Sequence, residues 1–551
     1  MPADTHPPSR VRRACDGCRV RKVKCDGAQP CAQCQHHGVH CLSTMEPEKR
    51  RNPVRGRLVA RARGEAAAAA VAPPGGGGGG VHEHTSASLS SLSPATVAVA
   101  HSSPAFANSP PAPTPPHTAD FLRSLLPAFE RAVYPFSPAV SPAEMAASID
   151  AMDDSLEDAA LAFAFGAATT FLTQTAPTMR DDTASRISDL LRCSLEAHKR
   201  VDLRLDPRGR LDEDWPVSAK RIMTCVYLEI SMMPFKLFDR SFHFIREAIT
   251  MLQTVQAHQR QAADDDKPPP RAETLAFQRL YWEAYIHERF LTIASGFPSV
   301  LPPLASGVPL PDPSVDPAVE AGFNRLIQLF LILDDTFLSQ WDGRGPAAAA
   351  AITMDWIEGK QVQLDQDEIN AAEAEHELRR QGHGGLSELQ HADLFITRLW
   401  MRTLLWQLAL ANGLLRSDPS RAVHEGLGLR FPALRLSTQL RSLVSRLDSI
   451  ASISTQGSGI LQKLFEITST IADVLAVSAV HRSDVDTHIE DFVFVARFLM
   501  HFERVRDRQK AYLLEKIDVL RASHPTVMFP DLPPLPGGGG GGSQASTPMG
   551  M

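Results

Sequence analysis

The chain has 551 residues, a formal net charge of −7 at pH 7 and 43% hydrophobic residues, enough for a large core and more than one domain. The charge is unevenly distributed: residues 1–63 carry 14 Lys+Arg against 5 Asp+Glu, a net +9, which leaves −16 for residues 64–551. The acidic residues 64–551 are therefore excluded as the source of any affinity for nucleic acid. The basic residues 1–63 predict a polyanionic partner.

Six of the eight cysteines lie within 27 residues near the N-terminus, with the spacing of a metal site. The pattern C-x2-C-x6-C occurs twice, separated by Asp26–Pro30. Two cysteines three positions apart bring two thiolates within reach of one tetrahedral zinc, and the third returns after a helical turn and a loop. Six thiolates can serve two zinc ions if two of them bridge. The six are Cys15, Cys18, Cys25, Cys31, Cys34 and Cys41.

Other uses of six cysteines fit the sequence less well. A disulfide knot requires an oxidising compartment, but residues 1–10 lack the apolar core of a signal peptide. An Fe–S cluster or a metal-storage site does not explain the basic residues between the cysteines. Three histidines lie in the second half of the motif, and we expect them at the surface because six thiolates suffice. They are His36, His37 and His40.

The cysteine motif, over about residues 12–42, resembles the fungal zinc-cluster regulators of the Zn₂Cys₆ family. The resemblance implies two Zn²⁺ ions per chain, bridged by Cys15 and Cys31. Cys18 and Cys25 would complete one ion, and Cys34 and Cys41 the other. It also implies that residues 1–45 form a domain that binds double-stranded DNA containing CGG-type triplets. Residues 1–118 contain a single aromatic residue, so we expect this domain to fold only with its metal.

The two halves of the motif differ in charge, which predicts the half that meets DNA. Four basic residues lie between Cys18 and Cys25, whereas the loop between Cys34 and Cys41 has no Lys or Arg. The resemblance implies that Arg21 and Lys22, four and three positions before the third cysteine, contact the triplet. We expect the other two basic residues, Arg19 and Lys24, to bind phosphate, which supplies affinity without sequence information.

A basic arm follows the cysteine motif. Residues 49–63 include seven Lys and Arg, and beside a DNA module we expect the arm to track phosphates and to act as a nuclear import signal, rather than to be only a solvated linker. The arm residues assigned to DNA are Arg50, Arg51 and Arg55. Residues 46–118 combine this arm with an Ala/Gly/Ser/Pro-rich disordered linker. No heptad runs through residues 44–118, so a homodimer would form through the helical domain.

From residue 119 to residue 532 apolar residues recur at helical spacing, which predicts an all-α domain of ten or more helices. Beyond its first helices, near residues 121 and 156, stretches are expected near 183–199, 218–232, 238–257, 273–294, 318–340, 391–415, 433–450, 459–480 and 487–521. Cys193 and Cys225 lie in such stretches and are expected to be buried thiols. Residues 533–551 are expected to form a disordered Gly-rich tail. The predicted fold class is a small zinc-stabilised binuclear cluster domain plus a large all-α domain, joined by a disordered linker, and a resemblance described next implies that the all-α domain is regulatory.

The helical part resembles the fungal-specific regulatory domain, or middle homology region, through Glu229–His258 and Gln278–Pro303. One group within it has the residue types of a ligand site, but its spacing favours a packed helix with a structural ion pair. The group is Arg279, Trp282, Glu288 and Arg289. The acidic segment Asp355–Glu377 could recruit coactivators, but we expect a solvated loop.

Catalytic motifs are absent from the sequence, including H-E-x-x-H, G-x-S-x-G and Walker A. Zinc sites closed by thiolates are structural rather than catalytic, so we do not expect an enzyme. We expect a nuclear transcription regulator of RNA polymerase II genes, an activator of a metabolic or secondary-metabolite pathway, with coactivators among its partners. No membrane partner is expected, because the uncharged run 159–174 is too short to span a bilayer. The alternative is a zinc cluster that binds RNA or protein.

Overall fold

A computed structural model describes six residues of the cysteine motif and most of the helical part. Within the motif it describes residues 25, 26, 28, 31, 32 and 35. In the helical part it describes 118–173, 181–202, 217–264, 270–342, 352–417, 423–447, 457–477, 483–502, 505–525, 527 and 529. The predicted linker and the predicted tail lie outside the described residues, apart from Thr118, and the domain boundaries remain predictions.

The described residues contain fifteen α-helices and no strand, which confirms the predicted all-α domain. The first eight helices are α1 Ala119–Ala132, α2 Pro142–Asp150, α3 Leu156–Leu172, α4 Asp181–Asp202, α5 Ala219–Met232, α6 Phe238–Asp264, α7 Arg271–Ser295 and α8 Pro317–Ile332. The other seven are α9 Asp335–Asp342, α10 Met354–Arg380, α11 Glu388–Ala411, α12 Ser437–Leu447, α13 Gly457–Val477, α14 Ser483–Met500 and α15 Asp507–Ser523. A π-helical turn, Pro432–Leu436, leads into α12.

Local sequence explains where many of the helices begin. Helix α2 starts with a capping box in which Ser141 and Glu144 satisfy each other's backbone N–H groups, and Pro142 occupies the first helical position. Helix α11 starts in the same way with Ser387 and Gln390. These caps satisfy N–H groups that have no partner within the helix.

The acidic segment Asp355–Glu377 is a helix, so the expectation of a solvated loop was wrong. It lies within α10, which Thr353 caps and which buries a face that includes Ile357, Gln361 and Leu364. Its acidic residues pair with later parts of the chain: Asp367 accepts two hydrogen bonds from Arg398, at 3.1 and 2.6 Å. Five of the eight acidic residues in this segment form ion pairs within the described chain.

Two predicted helical stretches are each divided in the structure. Residues 318–340 form α8 and α9, because Leu333 leaves helical geometry and Asp334 caps the second helix through the N–H of Phe337, at 3.0 Å. The stretch 487–521 forms α14 and α15. An aspartate at an N-cap begins a new helix even within an apolar stretch, and hydrophobic periodicity alone does not detect such a boundary.

The described helices share one contiguous hydrophobic core. Helices α3, α4 and α5 pack together, α5 packs on α6, and α13 packs against α11, α14 and α15. The largest fully buried side chains include Trp282 of α7 and Trp400 of α11. None of the described helices is long and apolar enough to cross a membrane.

The conspicuous polar residues of α7 are structural, as the sequence predicted. Glu288 is fully buried and accepts hydrogen bonds from the backbone N–H groups of Val300 and Leu301, at 2.7 and 3.0 Å. Arg289 donates to the Ser299 hydroxyl at 3.0 Å, and Trp282 donates to a backbone carbonyl at 3.0 Å. Arg279 pairs with Asp312. These contacts fix the segment that leaves α7.

Candidate metal centre and nucleic-acid interface

The structure brings together two of the six motif cysteines. The Sγ atoms of Cys25 and Cys31 and a carboxylate oxygen of Asp26 all lie within 4.8 Å of one another. Both cysteines are free thiols, and they are 7% and 0% exposed. A sheltered pair of close, unbonded sulfurs fits a shared thiophilic ion, because two thiolates on one tetrahedral zinc are about 3.8 Å apart.

Asp26 organises the turn between these cysteines. Its two carboxylate oxygens accept hydrogen bonds from the N–H groups of Ala28 and Ala32, at 3.1 and 3.0 Å. These bonds, first that of Ala32 and then that of Ala28, lower the pKa of the carboxyl group. The N–H of Gln35 bonds to the Cys31 carbonyl at 2.9 Å, so a helical turn begins at Cys31. Asp26 thus fixes the turn that leads from Cys25 to Cys31, the first cysteine of the second half of the motif.

The remaining predicted site residues lie outside the described residues. They comprise the cysteines Cys15, Cys18, Cys34 and Cys41 and the DNA-contacting residues Arg19, Arg21, Lys22, Lys24, Arg50, Arg51 and Arg55. The ligand set and the DNA contacts therefore stay predictions.

Comparison with known families identifies this segment. Residues 13–51 match the model of the fungal Zn(2)-Cys(6) binuclear cluster domain. The chain therefore carries a zinc-cluster domain of the fungal transcriptional regulators. This confirms the predicted resemblance and, since this family consists of regulators, the prediction that the chain is not an enzyme. Zinc and DNA are the metal and the partner that such a domain implies.

Several curated relatives match, mostly over the cluster domain. An uncharacterized transcriptional regulatory protein of Schizosaccharomyces pombe is 52% identical over 44 residues, 8% of this chain and 6% of that protein. A maltose fermentation regulatory protein of Saccharomyces cerevisiae is 42% identical over 48 residues, 9% of this chain and 10% of that protein. A probable sucrose utilization protein of Candida albicans is 22% identical over 262 residues, 47% of each chain. The matches span about half the length of these relatives or less.

A second group of metal-ligating residue types lies in the helical part, where three helices meet. His198 Nε2 is 2.7 Å from Glu247 Oε1 and 3.9 Å from Cys225 Sγ. Arg221 approaches the same glutamate oxygen at 3.7 Å, and burial raises the pKa of the Cys225 thiol well above its ordinary value. A guanidinium beside the carboxylate and a protonated thiol favour a hydrogen-bonded core cluster over a metal site. Cys225 and Cys193 are buried, as predicted.

Sequence reasoning missed a third polar group, formed between α5 and α7. His287 Nδ1 is 2.7 Å from Glu229 Oε2, and His287 Nε2 is 3.3 Å from Glu283 Oε1. Burial alone would lower the pKa of His287, but the two carboxylates outweigh burial and raise it to about 10. The spacing of Glu283 and His287, one helical turn apart, was the available signal. Glu229, 58 positions before His287, could not be paired with it from the sequence.

Proposed function

We propose that the chain is a nuclear, sequence-specific regulator of RNA polymerase II transcription that reads CGG-type triplets through its zinc cluster. The observation that carries this proposal is the match of residues 13–51 to the Zn(2)-Cys(6) cluster domain. The net charge of +9 on residues 1–63 supports a polyanionic partner, since Lys and Arg supply most of the affinity for phosphate backbones.

The proposed metal centre holds two zinc ions on the six motif cysteines. The close, sheltered sulfurs of Cys25 and Cys31 support this assignment, because Cys31 would bridge to the ion that Cys25 also binds. Each thiolate set closes a tetrahedron, so the ions stabilise the fold and perform no chemistry. Residues 1–45 would therefore fold only when zinc is bound.

Base recognition is assigned to Arg21 and Lys22, and phosphate contact to Arg19, Lys24 and the arm. A Lys or Arg that donates to guanine O6 and N7 is the commonest specific contact in the major groove. The cluster itself carries −2, from two Zn²⁺ and six thiolates, so these basic residues are needed to offset its repulsion of DNA.

The helical part is proposed to be the middle homology regulatory domain of such proteins, which senses or transmits a signal. Its all-α architecture supports this assignment. A homodimer would form through this part, which would also recruit coactivators. Two matched relatives are named for sucrose utilization and maltose fermentation, which favours genes of a metabolic pathway as targets.

A competition binding assay tests the proposed function. The zinc-loaded chain is titrated onto a labelled duplex that contains CGG, with a scrambled duplex or a single-stranded RNA as competitor. We expect the unlabelled CGG duplex to compete far better than either. Equal competition by RNA would favour the alternative of an RNA-binding cluster, and no binding to any of the three would favour a protein partner.

A further inference from the structure

We propose that the helical part contains a binding site for a small, mainly apolar molecule that carries an ammonium group. The site is a cavity of about 190 Å³ lined by α3, α5, α7, α8, α11 and α13 and by the end of α1 with the segment after it. An apolar protein cavity of about 150 Å³ accommodates benzene, so this one has room for a single ring with a short side chain.

The cavity wall is largely apolar. Seven helices and the segments that follow α1 and α5 contribute to it, and its apolar side chains include Phe136, Met233, Phe290 and Ile460. Such a wall favours a hydrophobic body, since burial of apolar surface contributes roughly 25 cal/mol per Å².

Two residues that line the cavity each carry one buried polar atom, and these two atoms have no hydrogen-bond partner within the described chain. They are Oε2 of Glu283 and the hydroxyl oxygen of Ser137. The two residues are 3% and 5% exposed. A buried acceptor without a partner costs free energy, and more when the group is charged. When Glu283 is ionised, its Oε2 can only accept, so the group that completes this site must be a donor.

The charges around the cavity favour a cation. Three carboxylates line it, those of Glu229, Glu283 and Asp393, against two cationic groups, His287 and Lys463. Asp393 and Lys463 are 3.3 Å apart and neutralise each other, while His287 is shared between the two glutamates. With both glutamates ionised and His287 protonated, this group carries one net negative charge.

These features also exclude other ligand classes. A carboxylate or phosphate would place an acceptor beside Glu283 and add a buried like charge. A sugar would place hydroxyl groups against apolar side chains, and each hydroxyl that loses water without gaining a partner costs roughly 1–3 kcal/mol. An amine satisfies the acceptor and the charge together through a charge-assisted hydrogen bond.

Binding of two probes of the same shape tests this site in the full chain, independently of DNA binding. The probes are 2-phenylethylamine and 3-phenylpropionate, measured by titration calorimetry and by the thermal unfolding midpoint. We expect the amine to bind once per chain and to raise the midpoint. The carboxylate should bind at least about tenfold more weakly, which is the effect of one hydrogen bond to a charged group.

Two variants and a matched control locate the binding. Glu283→Gln should weaken amine binding about tenfold or more. Gly459→Leu should abolish amine binding, because the leucine side chain would fill the cavity. The helix should tolerate this change, since a Cβ added at Gly459 would lie 3.8 Å from Phe290, an ordinary van der Waals distance. Glu273→Gln, an exposed site on the same helix as Glu283, should change nothing.

Three outcomes would overturn the proposal. They are equal binding of amine and carboxylate, undiminished amine binding in Gly459→Leu, and no amine binding to the wild-type chain at about 1 mM. If Glu283→Gln does not fold, the Gly459→Leu result decides.

Discussion

The sulfur atoms of Cys25 and Cys31 lie within 4.8 Å of each other, and no disulfide joins them. Asp26 holds the intervening turn through the N–H groups of Ala28 and Ala32. Two buried sulfur atoms this close are compatible with binding to one zinc ion, on which two thiolates lie about 3.8 Å apart. This pair links the cysteine spacing in the sequence to the proposed binuclear cluster.

The zinc content follows from this assignment. The wild-type chain should contain two zinc ions, measured by elemental analysis of the purified protein. Cys31→Ala removes a bridging thiolate and should disturb both ions, whereas Cys41→Ala should disturb one. Cys193→Ala, at a buried cysteine of α4, is the matched control and should keep both. One zinc in the wild-type chain would contradict the binuclear cluster.

Base reading and phosphate binding should separate in two variants. Lys22→Ala should weaken binding to the CGG duplex by about 1–3 kcal/mol and flatten the preference over a scrambled duplex. Arg51→Ala should weaken binding to both duplexes alike and reduce the salt dependence, because a phosphate contact releases counterions at any sequence. Affinities measured at several salt concentrations distinguish the two. Equal loss on both duplexes for Lys22→Ala would mean that this lysine contacts only the backbone.

The ion pair between Asp367 and Arg398 should be costly to break. Both side chains are about nine-tenths buried, so Asp367→Ala leaves the guanidinium without its partner. We expect a loss of about 3–5 kcal/mol in the free energy of unfolding, measured by urea denaturation. The control is Glu377→Ala, which breaks the exposed pair with Arg380 on the same helix and should have little effect. A small loss in the free energy of unfolding for Asp367→Ala would contradict the burial of this ion pair between α10 and α11.

Helix α10 shows why sequence reasoning succeeded for some helices and failed for others. Periodic apolar stretches such as α5 and α7 were predicted, because their buried faces repeat at the helical period. In α10 the buried face includes Lys360, Gln361 and Asp367, and their partners come from distant segments. No local pattern distinguishes an acidic residue that will meet an arginine about thirty positions later from one that faces water.

The candidate sites also differ in how far the sequence predicts them, because some bring together residues from distant segments and others do not. The spacing of the cysteines alone indicates a metal site, since all six lie within one short segment. The group of Glu229, Glu283 and His287 depends on the packing of α5 against α7, so only the fold assembles it.

Stability should depend on pH through His287. Its pKa is raised from 6.5 to about 10 in the folded chain, so its contribution is complete below pH 6.5 and is lost as the pH rises toward 10. A tenfold increase in proton affinity on folding corresponds to about 1.4 kcal/mol, so the total loss is on the order of a few kcal/mol. The free energy of unfolding, followed by urea denaturation across this range, should fall less steeply in His287→Gln.

His243→Gln is the matched control, because His243 is 69% exposed on α6. It should leave the pH profile of the wild-type chain unchanged. An unchanged slope in His287→Gln would show that the two glutamates do not hold this histidine in its charged form.

The affinity of the full chain for duplexes that differ by single bases within one CGG triplet tests the central proposal most directly. The account predicts that each substitution weakens binding by about 1–3 kcal/mol, and that chelation of zinc removes the preference together with the fold of the cluster domain. Equal affinity for the intact and substituted triplets in the zinc-loaded chain would contradict the proposal that this cluster reads CGG sequences.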